Sequence, residues 1–497
     1  MRSAGILMPV FSLPSNYGIG TFGKEAYRFV DFLKKAGQRY WQILPLSPTS
    51  YGDSPYQSFS AYAGNPYFID LDILCDDGYL KKNEYSDIYW GDNNKIDYAL
   101  LYQKRFAVLR RAYSRFAEKT PSDYKEFIRK NLFWLEDYAL FMALKNANDS
   151  KSWDNWKNEL KYRDKQALKE AKKLYKEDID FFMMLQYLFE KQWFELKNYA
   201  NDNGIKIIGD IPIYVAYDSA DVWCAPSQFE LDENLLPKRV AGCPPDEFSK
   251  SGQLWGNPLY NWKEMKNSIT PYDWWLRRIK YTLSLYDVVR IDHFRGFESY
   301  YAIPFGDKDA TGGIWVKGPG IHFFDFVKKK LGELPIIAED LGFMTEEVKR
   351  MLDASGFPGM KVLEFAFDDD SDSEYLPHNF GKNCVVYTGT HDNDTVVGWA
   401  DVLSDRDLKF ANNYMRVTGE DPINWAMIKT AYSTSADTVI IPIQDFCGMG
   451  SEARINIPST VGDNWTWRID SGCINDWLAQ IIKDVATVYR RVNIARQ

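Results

Sequence analysis

Cysteine and histidine are scarce in this sequence. Its 497 residues include four His and six Cys, the latter at positions 75, 224, 243, 384, 447 and 473. No two cysteines have the CxxC spacing of a metal site, and six in so long a chain do not form a disulfide framework. We therefore expect reduced, mostly buried thiols, no metal centre and no cofactor.

The sequence also lacks a long apolar run and a surplus of basic residues. No stretch approaches the roughly 18 apolar residues of a membrane span. The short apolar stretch at 4–11 contains Pro9 and no cleavage site follows it, which favours a strand over a signal peptide. The formal net charge of −9 argues against nucleic acid, because phosphate binding needs clustered Lys and Arg. We expect a cytoplasmic protein with neither a membrane nor a nucleic-acid partner.

Aromatic residues, in contrast, are abundant: 17 Trp, 32 Tyr and 30 Phe make up 16% of the chain. Rings fill cores, but their faces also suit a ligand with alternating apolar and hydroxylated surfaces. A hydrophobic content of 45% and a charged content of 26% are ordinary for a globular protein. The length allows about three domains of common size or one large α/β barrel with insertions.

Eight short runs are almost continuously apolar, as in strands that are buried on both faces. They lie at 4–10, 40–46, 206–215, 288–294, 335–341, 360–367, 384–388 and 438–446. Helical patterns at 23–36, 325–331 and 345–354 separate several of them. The alternation predicts an α/β protein with a (β/α)8 TIM barrel.

The spacing of these runs is uneven and predicts two insertions in a single barrel that spans 1–497. Roughly 160 residues separate the second and third runs, and apolar residues at helical spacing predict a mainly helical subdomain at 70–200. A Gly-, Pro- and aromatic-containing segment without periodicity predicts a loop-rich insertion at 216–285. After the eighth run about 50 residues remain, including a helical pattern at 476–491. A β-sandwich needs about 100, so no C-terminal β-sandwich is expected.

Four of the predicted strands carry an acid near their carboxyl end: Asp210, Asp292, Glu339 and, just past the seventh strand, Asp392. A carboxylate in an apolar strand costs several kcal/mol unless it is paired, hydrogen-bonded or solvated in a cleft. Barrel enzymes place their chemistry at this end of the strands. Four acids at the same level therefore predict a catalytic cleft.

The neighbours of two acids suggest different roles. Arg290 and Asp292 point to the same side of a strand, and we expect the Arg to lower the pKa of Asp292 and keep it ionised, as suits a nucleophile. Glu339 has Ile337 as its same-side neighbour, an apolar setting that suits a general acid. Two such carboxyl groups are what cleavage of a glycosidic bond needs.

Two of the four histidines, His293 and His391, abut these acids. Each suits either donation to a substrate hydroxyl or a simple strand-end hydrogen bond. Both interpretations stay open.

Longer motifs around these residues resemble a known family. The segments VRIDHF (289–294), AEDLG (338–342) and YTGTHDNDT (387–395) resemble the nucleophile, acid/base and third-acid motifs of the α-amylase clan. Together with SPYQS (54–58), AGNPY (63–67) and GDIPIYV (209–215), they are similar to the 4-α-glucanotransferases called amylomaltase or disproportionating enzyme. The resemblance runs from residue 5 to about 468.

The resemblance implies a retaining double displacement on α-1,4-glucans, in which a glucan segment passes through a covalent glycosyl-Asp intermediate to the 4-OH of an acceptor glucan or glucose. It implies roles residue by residue. Asp292 would be the nucleophile, Glu339 the acid/base and Asp392 the transition-state stabiliser, while Arg290 would hold the nucleophile. His391 and Asp210 would line the donor subsite. The acceptor side would be bordered by Tyr56, Asp246, Phe248, Gln253 and Trp255, Ser54 would be a further substrate-binding residue, and Tyr51 would mark a second glucan-binding groove.

The sequence is also compatible with other functions. An α-1,4-glucan hydrolase would let water intercept the same intermediate, and a non-catalytic glucan-binding protein would lack turnover. Residues 18–23 match G-x-G-x-x-G, but Pro14 and its neighbours break the tight turn of a dinucleotide site; we expect a Gly-rich loop before a helix. Counted from Asp368, the acidic stretch at 368–374 has Ser373 in place of the Gly at the sixth position of a calcium loop and Asn379 in place of the Glu at the twelfth. This favours a solvated loop.

Overall fold

A computed structural model describes residues 2–245, 249–368, 373–417 and 421–492. The strands in these ranges are β1 (Ser3–Leu7), β2 (Tyr40–Gln42), β3 (Lys206–Pro212), β4 (Arg239–Cys243), β5 (Gln253–Pro258), β6 (Val288–Asp292), β7 (Ser299–Pro304), β8 (Ile314–Lys317), β9 (Ile336–Ala338), β10 (Gly359–Val362), β11 (Cys384–Tyr387) and β12 (Thr438–Pro442).

The helices in the same ranges are α1 (Lys24–Lys35), α2 (Leu71–Asp76), α3 (Tyr98–Glu118), α4 (Tyr124–Asn131), α5 (Leu135–Ala147), α6 (Asn158–Lys161), α7 (Lys165–Leu174), α8 (Lys176–Asp202), α9 (Ala220–Cys224), α10 (Trp262–Asn267), α11 (Asp273–Leu285), α12 (Ile321–Leu331), α13 (Glu346–Ser355), α14 (Val396–Val402), α15 (Asp405–Met415), α16 (Ile423–Ser433), α17 (Ile443–Cys447) and α18 (Asp476–Val488).

Eight strands pair in the order β10-β11-β12-β1-β2-β3-β6-β9, and every pairing in this sheet is parallel. A backbone hydrogen bond of 2.9 Å from Ala338 N to the carbonyl of Pro358 links β9 to the start of β10 and closes the ring. Each of the eight apolar runs supplies one strand, because strands buried on both faces need continuous apolar sequence. The predicted TIM barrel is confirmed.

Helix α1 follows the Gly-rich loop at 18–23, with Gly23 as its N-cap residue. It buries Ala26, Phe29, Val30 and Leu33, the i, i+3, i+4, i+7 face of an amphipathic helix. The expectation of a plain loop leading into a helix is confirmed.

The segment between β2 and β3 contains the seven helices α2 to α8. Two buried glutamines of α8 tie it to the loop after β2: Gln186 bonds both the N–H and the carbonyl of Gly64, and Gln192 does the same for Asp70. Paired side-chain to backbone bonds of this kind satisfy buried polar groups that a loop otherwise leaves unpaired. The helices therefore support the loop that carries Tyr56. The limits of a subdomain at 70–200 stay a prediction.

A second sheet has the order β5-β4-β7-β8, and its pairings are antiparallel. The sequence analysis does not predict these four strands. The reason lies in β4 and β5, where Gly242, Gly256 and Pro258 interrupt the pattern. Gly242 is required, since a Cβ there would lie 2.1 Å from the carbonyl oxygen of Gln253 on the paired strand. Because β7 follows β6 after one short turn, the sheet extends from the end of the barrel that holds the acids.

Three further features concern the described ranges alone. None of their helices combines the length and the apolar character needed to cross a membrane. None of the six cysteines forms a disulfide within these ranges. The described residues contain no cluster of three or more His, Cys, Asp or Glu side chains suited to a metal ion.

Candidate active site

The four predicted acids meet at the carboxyl end of the barrel. Asp210 lies in β3, Asp292 ends β6, Glu339 directly follows β9, and Asp392 lies in the loop after β11. The register pairs Asp210 with Arg290 across β3 and β6. Parallel pairing brings these strand ends to one level, so the sequence prediction of an acid cluster is confirmed in its placement.

Arg290 joins two of the acids. Its Nη1 lies 2.6 Å from Asp210 Oδ2 and its Nη2 lies 3.0 Å from Asp292 Oδ1, so Arg290 and Asp292 do point to the same side of the strand. Burial by itself would lower the pKa of Arg290, but the carboxylates of Asp210 and Asp292 together outweigh it and hold this pKa well above its ordinary value. The guanidinium therefore stays charged inside the barrel.

The environment of Asp292 corrects one expectation. Burial raises the pKa of Asp292 to about 8, and although Arg290 opposes this, the nearby charges of Glu339, Asp210 and Asp392 add to it. The expectation that Arg290 keeps this pKa low is wrong. Removal from water among three other carboxyl groups outweighs one ion pair.

Glu339 is held by two backbone donors. The N–H of His293 lies 2.6 Å from its Oε2 and the N–H of Leu341 lies 2.8 Å from its Oε1. Burial nevertheless raises the pKa of Glu339, as the apolar neighbour predicts. Both Asp292 and Glu339 therefore keep their protons to higher pH than ordinary carboxyl groups do.

His293 aims its N–H at Glu339 by an unusual backbone conformation. Its φ of +54° lies in the left-handed region. A residue with a Cβ seldom adopts this conformation unless the surrounding contacts hold it there. Burial lowers the pKa of the imidazole to about 3, so the ring is neutral. His293 thus contributes its backbone N–H as a hydrogen-bond donor to Glu339.

Asp392 is held by a segment that the sequence analysis does not single out. Asn456 Nδ2 donates to Asp392 Oδ1 over 2.6 Å, and Arg454 Nη2 donates to the Asp392 carbonyl over 2.8 Å. The other oxygen, Oδ2, lies 3.4 Å from His391 Nε2. Both Arg454 and Asn456 follow the eighth barrel strand, and the rule that loops after barrel strands face the site is the pattern that points to them.

Three rings form one wall of the site. The Tyr56 hydroxyl donates to Asp210 Oδ2 over 2.8 Å, and its ring stacks on His391 with centroids 5.1 Å apart. Trp465, which the sequence analysis misses, lies 5.7 Å from the ring of Tyr56 and 5.9 Å from that of His391. Burial lowers the pKa of His391, so a neutral imidazole faces Asp392.

Trp255 and Gln253 of β5 lie near the acid/base side. The Trp255 indole N–H donates to Gln253 Oε1 over 3.0 Å, and its ring packs edge-on against His293 with centroids 5.0 Å apart. Gln57, next to Tyr56, donates to the Trp255 carbonyl over 3.3 Å. The loop after β2 and the second sheet therefore enclose the acids from two sides.

The remaining predicted residues have simpler outcomes. The Ser54 hydroxyl accepts the N–H of Tyr56 over 3.2 Å and so shapes the loop. Tyr51 starts a single 3-10 turn, Tyr51–Asp53. Asp246, Phe248 and the side chain of Tyr51 lie outside the described part of the structure, as do residues 369–372 of the acidic stretch.

Two partly buried carboxyl groups with raised pKa values, beside a third acid at the carboxyl end of a parallel barrel, fit the arrangement of enzymes that act on glycosidic bonds. The fold and the site define that class.

Comparison with known proteins narrows the class. The sequence model of a family described as 4-alpha-glucanotransferase matches residues 8–474. A 4-alpha-glucanotransferase of Clostridium butyricum is 51% identical over 487 residues, which cover 97% of this chain and 100% of the relative. One from Streptococcus pneumoniae is 46% identical over 496 residues, with 99% and 98% covered.

A solved structure agrees. The amylomaltase from Streptococcus agalactiae in complex with acarbose has a TM-score of 0.97 at 44% identity, with 99% of this chain and 100% of that one covered. The chain belongs to the 4-alpha-glucanotransferase family, and the resemblance seen in its motifs is confirmed.

Proposed function

We propose that this protein transfers a segment of an α-1,4-glucan to the 4-OH of an acceptor glucan or of glucose, by a retaining double displacement. The observation that carries the mechanism is the placement of two acids at the carboxyl end of the barrel: Asp292 pairs with Arg290, and two backbone N–H groups hold Glu339. A retaining enzyme needs one carboxylate as nucleophile and one protonated carboxyl as acid, and we assign these roles to Asp292 and Glu339. Membership of the family supports the transferase activity.

In the first step the ionised Asp292 attacks the anomeric carbon while Glu339 protonates the departing glycosidic oxygen. A glycosyl–Asp292 ester forms, the glycosidic bond breaks, and the leaving glucan carries the proton away on its 4-OH. The contact of 3.0 Å between Arg290 Nη2 and Asp292 Oδ1 opposes the rise in the pKa of Asp292 and so favours its charged form.

In the second step the 4-OH of an acceptor attacks the anomeric carbon of the glycosyl–Asp292 ester and gives its proton to Glu339, while the bond from that carbon to the Asp292 oxygen breaks. Asp292 is released as a carboxylate, so that both groups return to their starting forms. Asp392 stabilises the positive charge that develops at the anomeric carbon in both steps. Asn456 occupies one of its oxygens and leaves the other for the sugar.

The donor side lies at His391, which stacks on Tyr56. Asp210 is almost fully buried, and its Oδ2 accepts from both Arg290 and Tyr56. It supports the donor subsite by fixing these two side chains. The acceptor side lies at Trp255, which packs on His293 next to Glu339, where the incoming hydroxyl must deliver its proton.

Transfer wins over hydrolysis when a sugar hydroxyl, rather than water, reaches the ester. The alternative is an amylase-like hydrolase; a glucan-binding protein without turnover is a more distant one. We infer a cytoplasmic location from the six cysteines, none of which is in a disulfide in the described structure, as is typical of reducing compartments.

Incubation with maltotriose separates these functions. Longer malto-oligosaccharides together with glucose are the products that the proposal requires. Maltose and glucose without longer products would identify a hydrolase. No turnover, with maltotriose still bound in a calorimeter, would leave a binding protein.

A further inference from the structure

A pair of exposed rings lies just beyond the acid/base residue. Phe343 is four residues after Glu339 and is 67% exposed, and Trp315 of β8 is 39% exposed. Single exposed rings are common on protein surfaces, but these two share a contact. They lie on different segments, yet one side chain, Arg295, joins them.

Arg295 is itself almost fully buried, at 4% exposure. Its guanidinium carbon lies 3.8 Å from the centroid of the Trp315 ring and 5.8 Å from that of Phe343. Its Nη1 donates to the Phe343 carbonyl and its Nη2 donates to Ser299 Oγ over 3.1 Å. Tyr301 supports Trp315 from the neighbouring strand, with centroids 5.2 Å apart.

These contacts fix the rings in place before any ligand arrives. A guanidinium stacked on aromatic faces is a favourable contact, and its hydrogen bond fixes the backbone of the 343 loop. Rings that are already ordered lose little conformational entropy on binding. The pair, Trp315 with Phe343, therefore has the rigidity of a binding platform.

The position of the platform links it to the acceptor side. Arg295 is two residues past His293, whose N–H bonds Glu339 and whose ring contacts Trp255. Glu339 acts on the leaving and incoming oxygen, whereas the donor side lies at His391. The segment after β9 carries both Glu339 and, four residues on, Phe343, so a glucan that leaves the acceptor side along this segment is one that Phe343 can contact.

We propose that Trp315 and Phe343 form an outer subsite that stacks a distant glucose unit of the acceptor glucan. This inference rests on the proposed function. The apolar faces of pyranose rings suit aromatic surfaces, and a site beyond the reacting unit favours long acceptors over glucose. The platform thus acts as a length selector for acceptors.

The test isolates the acceptor side by using α-maltosyl fluoride as the donor, because fluoride leaves without occupying acceptor subsites. Initial rates of fluoride release are measured with glucose or maltohexaose as the acceptor. The readout is the ratio of kcat/KM for maltohexaose to that for glucose. In Trp315→Ala and Phe343→Leu this ratio falls about five- to tenfold, whereas in Phe343→Tyr, which keeps the ring, it stays close to wild type.

Two exposed rings elsewhere provide matched controls. Trp477 on α18 is 73% exposed, and Phe305 follows β7 of the same sheet; alanine at either leaves the ratio as in wild type. Thermal unfolding of each variant checks that it is folded.

Other outcomes overturn the proposal. An unchanged ratio in both Trp315→Ala and Phe343→Leu contradicts it, and so does an equal loss with both acceptors. If Trp315→Ala and Phe343→Leu change the sedimentation coefficient of the protein and leave the acceptor ratio unchanged, the ring pair is a protein–protein interface instead. If the wild type releases fluoride but transfers to no acceptor, the proposed function itself has failed, which is a separate result.

Discussion

Asn456 donates a hydrogen bond of 2.6 Å to the carboxylate of Asp392, although the two residues are 64 positions apart. The bond takes up Oδ1, while Arg454 fixes the backbone of Asp392 through its carbonyl. With these contacts the orientation of Asp392 is set before substrate binds, which is what stabilisation of a developing charge requires.

Replacement of Asn456 by alanine is therefore expected to lower kcat more than it raises KM. A hydrogen bond to a charged group contributes enough for a loss of about 10- to 100-fold. Steady-state kinetics with maltotriose measures the split, and Asn456→Gln, which keeps the amide, is expected to recover part of the rate. A kcat within twofold of wild type in the alanine variant would contradict the positioning role.

Asp292→Asn removes the proposed nucleophile and is expected to abolish turnover, by at least about a thousandfold, with maltotriose binding largely kept. Product analysis measures the first effect and calorimetry the second. A variant with near-normal activity would contradict the assignment.

The same substitution is expected to stabilise the fold in alkaline solution. The pKa of Asp292 is raised from 3.8 to about 8 in the folded state. The folded protein therefore loses stability as pH rises from the lower to the higher value, the cost is constant above it, and below the unfolded pKa there is no cost. Asp292→Asn is therefore expected to raise Tm by about 2 °C or more at pH 9, and by less at pH 5. Equal shifts at both values would argue against the raised pKa.

Glu339→Gln tests the acid separately from the nucleophile. A natural glucan needs its leaving oxygen protonated, whereas fluoride does not. The variant is expected to lose turnover of maltotriose and still release fluoride from α-maltosyl fluoride in a burst of about one equivalent. Loss of both reactions would place Glu339 in a structural role.

The raised pKa values of the two acids also predict the pH profile. Catalysis needs Asp292 ionised and Glu339 protonated, and burial raises the pKa of both. We expect kcat/KM for maltotriose to fall in acid as Asp292 becomes protonated and to fall in alkaline solution as Glu339 loses its proton, with both limbs at higher pH than ordinary carboxyl groups would give. Fluoride release from α-maltosyl fluoride needs no acid, so its alkaline fall should be weaker. Identical alkaline limbs for the two donors would contradict this origin.

Much of this protein follows from its sequence. The eight apolar runs predict the barrel because strands buried on both faces need continuous apolar residues. Asp292, Glu339 and Asp392 are found because an acid at the end of an apolar strand is costly without a function or a partner. Those properties are local, so the order of residues is enough to reveal them.

The tertiary structure decided what depends on contacts between distant segments. The pKa of Asp292 differs from expectation because burial removes it from water and three carboxyl groups from other segments add to the effect. Asn456, Trp465 and the second sheet escape the sequence patterns because they act through neighbours far away in the chain. Burial and electrostatics are sums over everything that packs nearby, and only the fold determines which residues those are.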